Sequence, residues 1–110
     1  MSNDMTSMTS IEDLAALIEV QSGSTVSKTV VTAEGTRLVL FSFDTGQQLT
    51  EHTAAMPVVL FVVEGHLRVS ADDRTVELRP GGMVHLTTRL PHAVEAVEPT
   101  KLALLMLDGR

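Results

Sequence analysis

From Ser24 onward the chain breaks into short runs rich in Val, Leu and Thr, parted by turn residues at roughly ten-residue intervals, the rhythm of an all-β sandwich or barrel. The runs are residues 25–32, 37–43, 47–54, 57–63, 66–70, 75–79, 83–87, 92–98 and 101–107. Between them stand AEG, DTG, AMP, ADDR, RPGG and EPT, each carrying a Gly, Pro or Asp that suits a tight turn. Many short strands with no helices between them must hide their edges by closing on one another. A barrel or two-sheet jelly roll is therefore expected rather than an open sheet.

Ahead of this series, residues 1–9 are polar and small, and are expected to form a disordered N-terminus. Ser10 followed by Asp13 resembles a capping box, and Ile11, Leu14, Leu17 and Ile18 recur at helical spacing. One short amphipathic helix, ending before Gly23, is predicted. The 110 residues suit one domain, spanning 10–110. Its core must be aliphatic, because the chain has three Phe and neither Trp nor Tyr.

A formal charge of −6 disfavours phosphate backbones and anionic headgroups, so neither nucleic acid nor membrane is expected as a partner. With no Cys there can be no disulfide, thiolate metal site or Cys nucleophile. The opening MSNDMTSMTS lacks the basic and apolar regions of a secretion signal, and a cytoplasmic location is the expectation.

Spacing adds a more specific sign. Gly46, His52 and Gly65 fall at the intervals of the motif G-x5-H-x-H-x3-E-x6-G, with Ala54 and Val58 in place of its second His and its Glu. Gly81 and His92 fit G-x5-P-x-G-x2-H-x3-N, with Thr87, Arg89 and Ala96 at the Pro, Gly and Asn positions. On these residues, and on the blocks LFSFDTGQQLTEHTA, VVEGHLRV, VELRPGG and LPHAVEAVEPTKLALLML, the chain resembles the cupin superfamily. The likeness is to short single-domain, conserved-barrel members with the RmlC-like jelly roll. It implies an all-β double-stranded β-helix, here with the one short N-terminal helix. The superfamily includes dioxygenases, isomerases, epimerases, storage proteins and sensors, so the fold alone leaves the chemistry open. Small members are commonly homodimers, and the apolar SKTVV strand offers an edge for such pairing.

The resemblance brings the strands of His52 and His92 together. If β pairing is regular, Gln48, Thr50, His52 and Ala54 share the barrel-facing side, with Glu51 pointing away. The expected pocket is mostly apolar, formed by Gln48, Thr50, His52, Leu60, Val62, His92, Val94 and Met106. It would hold a small molecule, with a divalent metal (Zn, Fe, Mn or Ni) weakly bound at His52 and His92 or absent, because catalytic sites usually supply three ligands. Two alternatives stand beside this reading. One is a metal-dependent dioxygenase or isomerase using the same histidines, and the other a non-catalytic dimeric scaffold.

Other residues carry weaker expectations. His66 is read as a solvent-exposed turn residue, and His85 as lying on the strand face away from the interior. Asp72, Asp73 and Arg74 read as a hairpin turn, Arg89 as either an anion-gripping or a plain surface charge, and Phe41, Phe43 and Phe61 as core. No carboxylate pair, nucleophile elbow or phosphate loop is present.

Overall fold

The computed structural model describes residues 6–107, which form nine antiparallel strands in two sheets. In chain order these are β1 Thr25–Ala33, β2 Thr36–Phe43, β3 Gln48–His52, β4 Val58–Glu64 and β5 Leu67–Ala71. Then come β6 Arg74–Leu78, β7 Met83–Leu86, β8 His92–Ala96 and β9 Thr100–Leu107. Each falls on one of the expected apolar runs, because the turn residues between them leave the chain few other places to reverse. One sheet has the order β1-β2-β9-β4-β7 and the other β3-β8-β5-β6. The part of the expected disordered stretch at 1–5 lies outside the described residues, and 6–9 carry no regular element.

The inward faces follow the period of two. On β4, Val58, Leu60 and Val62 point inward; on β9, Leu102 and Leu104; on β8, Val94 and Ala96. They meet Phe43, Leu67, Val69, Leu78 and Leu86 in one aliphatic core between the sheets. Phe41 stacks on Phe43, with ring centroids 5.9 Å apart. Phe61 departs from the expected core role: it lies on the outer face of β4, 39% exposed, opposite Met83 of β7.

A smaller apolar cluster covers the outside of the five-stranded sheet, where Leu40 and Ala103 pack under Ile18, with Leu14 and Leu17 alongside. The expected amphipathic helix is here only a four-residue 3-10 turn, Leu14–Leu17. Its N-cap is Asp13, whose side chain makes no capping bond, and Ile18 is already extended. The sheet itself supplies the reason. Lys101 Nζ donates to the Ala15 carbonyl at 2.7 Å, Lys28 Nζ to that of Leu17 at 3.2 Å, and Ser42 Oγ to that of Glu19 at 2.8 Å. Carbonyls claimed by the sheet are satisfied without α-helical partners, so the segment lies flat as an apolar strap.

Two crossings between the sheets, one at each end of the barrel, hold left-handed residues. At Gly65, between β4 and β5, φ is +95°, and a Cβ would overlap the Pro99 carbonyl oxygen and Thr100. Only glycine fits that approach. Between β7 and β8, Arg89 holds φ at +64° while its amide donates to the Ala54 carbonyl at 2.8 Å. A left-handed residue there accounts for the glycine that the second motif carries at this position.

Candidate functional site

His52 ends β3, His92 begins β8, and the two are register partners. Their ring centroids are 4.3 Å apart, with the planes tilted by 59°. Two imidazoles forty residues apart in sequence thus converge, as the motif spacing implied. His92 is buried, at 4% exposure, and His52 is exposed.

The route to this pairing is not the expected one. Leu49 pairs with Val94 and His52 with His92, so three steps on β3 match two on β8. The extra residue makes a β-bulge at Thr50 and Glu51, which resets the alternation. Leu49 packs into the core and His52 meets His92, whereas Gln48 and Thr50 stand exposed. Their expected barrel-facing position is corrected on this account: the period of two holds only across an unbroken ladder.

Both rings are oriented by the same local device. His52 Nδ1 lies 2.8 Å from the Thr50 carbonyl oxygen, and His92 Nδ1 lies 2.8 Å from that of Leu90. A carbonyl oxygen can only accept, so Nδ1 carries the proton in the neutral ring and Nε2 keeps its lone pair. Each ring therefore presents Nε2 as an acceptor or ligand atom.

The donor set stops at two. Val58, at the position of the motif's Glu, is 2% exposed in the core, and Ala54 packs against the same cluster. Among the described residues no group of three or more His, Cys, Asp and Glu side chains is placed to hold a metal ion. The residues present do not fit a three-ligand catalytic metal centre.

His92 lines one open cavity of about 530 Å³, and a second of the same volume adjoins that cavity. The first is polar, with His92, Glu51, Asp72, Asp73 and Arg74 among its walls. The second is a trough between the edge strands β6 and β7, walled by Val76, Leu78, Val84, Leu86 and Leu90. Ala71, Asp72, Arg74 and Leu90 belong to both. Leu90 is the partition: its carbonyl anchors His92 while its side chain faces both cavities.

Of the other expected pocket residues, Leu60, Val62 and Val94 are fully packed core positions. Met106 lines a separate, smaller cavity with Met56 and Arg37. Sequence reasoning missed Leu90, Arg74 and the β6 and β7 residues. The only sign of Leu90 was its place two residues before His92. His85 is exposed opposite Val59 and reaches the rim of the trough. His66 is not the solvent-exposed turn residue expected. Only 14% of its side chain is exposed; it bonds to Glu77, and its backbone amide donates to Thr100 Oγ1.

That ion cluster continues across the outer face of the four-stranded sheet, where Arg68 Nε donates to Glu77 at 2.9 Å and a guanidinium nitrogen lies 3.6 Å from Glu95. Hydrogen bonds from Arg68, and then from His66, hold the Glu77 carboxyl below its usual range. Amide bonds from Gly23 and Thr45 do the same for Asp44 at the turn between β2 and β3. Among the described residues no helix is long and apolar enough to cross a membrane.

Comparison with known proteins agrees with this architecture. The family profile described as "Cupin domain" matches residues 39–108. A cupin superfamily protein from Desulfitobacterium hafniense superposes with a TM-score of 0.80 at 22% identity, covering 86% of each chain. A conserved protein of unknown function from Streptococcus pyogenes gives 0.82 at 21% identity, over 98% of this chain and 99% of that one. A cupin 2 conserved barrel domain protein from Leptotrichia buccalis gives 0.79 at 29% identity, over 86% of this chain and 46% of that longer one. No curated protein matches the chain.

Proposed function

The chain belongs to the cupin family, and from that premise we propose that it binds a small organic molecule at the mouth between its two sheets. One observation carries the reading: an apolar trough of about 530 Å³ shares four wall residues with the cavity that His92 lines. The size and the balance of many apolar walls against few polar groups suit ligand binding. The histidines supply the polar part. With Nδ1 tied to the Leu90 carbonyl, the Nε2 of His92, which lines the adjoining cavity, accepts a hydrogen bond from a ligand hydroxyl or amide without reorienting. A dioxygenase or isomerase reading asks for a further donor, which Ala54 and Val58 do not supply.

Methyl-resolved NMR with a panel of small organic molecules tests the proposal. The expected result is saturable shifts at Val76, Leu78, Val84, Leu86 and Leu90, with affinity lowered about fivefold in His92→Ala for ligands bearing a hydroxyl or amide. Absence of any saturable shift at the trough would overturn it.

A further inference from the structure

We infer that the ligand is an amphipathic monocarboxylic acid, its apolar chain lying in the β6–β7 trough and its carboxylate held by Arg74. This deepens the binding reading above and rests on it.

The argument begins at the β5–β6 hairpin. Asp72 and Asp73 hold φ at +54° and +59°, so the turn has left-handed residues at both central positions. Ala71 and Arg74 close it as register partners, and Ala71 pairs on its other side with His92. The turn therefore sets Arg74 over the site end of the four-stranded sheet, where it walls both cavities.

Among the described residues, Arg74 is the one Arg or Lys lining either cavity. Arg68, farther along the adjacent strand β5, is engaged by Glu77 and Glu95, whereas Arg74 makes no ion pair among the described residues. A guanidinium presents paired donors whose geometry matches a carboxylate. Beside it the trough is walled chiefly by Val and Leu side chains, with Met83 and His85 also lining it, which calls for a hydrocarbon chain. Asp72 on the same rim, with Asp73 and Glu51 in the adjoining cavity, sets the limit on charge. One negative group is attracted by Arg74, while a second would face these carboxylates. A monoanion is thus favoured over a dicarboxylate or a phosphate ester.

Calorimetric titration of the intact protein with octanoate, octan-1-ol and suberate, an eight-carbon diacid, tests this. Octanoate is expected to bind about fivefold more tightly than octan-1-ol, with suberate weaker than octanoate. R74Q should remove the preference for acid over alcohol, and R74K should restore part of it, keeping the charge without the fork. The inference is overturned if octanoate and octan-1-ol bind alike, if R74Q keeps the preference, or if suberate binds more tightly than octanoate. Octan-1-ol binding at the trough with no preference for the acid would leave the binding reading standing and remove only this inference. Failure of all three probes to saturate would remove this inference and leave the binding reading to the panel of small organic molecules.

Discussion

The two sheets share one core but differ on their outer faces. Behind the five-stranded sheet, Leu40 and Ala103 lie under the strap of Leu14, Leu17 and Ile18, so its middle is covered on both sides. The four-stranded sheet turns Arg68, Ser70, Thr75, Glu77 and Glu95 outward and has polar contacts in place of a cover. The difference teaches where rigidity and access reside. The covered sheet contributes only its edge strand β7 to the trough, while the open sheet contributes β5 and β6 and carries the histidine pair beside it. The site stands where the better-buried sheet meets the less-buried one.

The largest test of that contrast pairs a substitution on each outer face. Leu40→Ala removes a side chain that is 1% exposed and is expected to cost about 3 kcal/mol of unfolding free energy. Arg68→Ala, on the outward face of the other sheet, should cost a small fraction of that, since its partners are solvent-exposed. Denaturant titration of both variants is the check, and equal losses would erase the distinction between the faces.

A smaller effect is expected at the crossing from β7 to β8. Arg89→Gly relieves a left-handed residue with φ of +64° and should stabilise the protein by about 0.5–1 kcal/mol, net of the added freedom of the unfolded chain. A drop in stability would show that the Arg89 side chain makes a contribution larger than the backbone strain it imposes.

The smallest is a pH effect on the open face. Because its folded pKa lies below the ordinary glutamate value of 4.5, Glu77 stabilises the fold fully above that value. The contribution is lost as pH falls through the lower folded value. Wild type should therefore exceed Glu77→Gln in stability at neutral pH, with the gap closing only below pH 4.5. A gap that stays constant through the acid range would show that the carboxylate's charge plays no part.

The strand series was legible because its signals are local: a Gly, Pro or Asp cluster closes each run, and every run became a strand. The convergence of His52 and His92 was legible too, through the intervals from Gly46 and Gly81. The rest depends on partners distant in the chain. Nothing in IEDLAALIE announces that Lys28, Ser42 and Lys101 will take its neighbourhood's carbonyls, so helical spacing was read as helix. Nothing in QLTEH marks a bulge, so Gln48 and Thr50 were assigned to the wrong face and Leu49 was overlooked. The trough was hidden for a related reason: it lies where edge strands β6 and β7 fail to pair, and pairing is a property of the assembled sheets.

The bulge on β3 also means that the spacing before His52 is looser than the motif alone implies. Removing one residue between Leu49 and His52 would leave two steps facing two, a regular ladder in which His52 still stands opposite His92 and on the same face as Leu49. In a lineage of such barrels, a single lost codon in that stretch breaks the motif's spacing while sparing the imidazole pair.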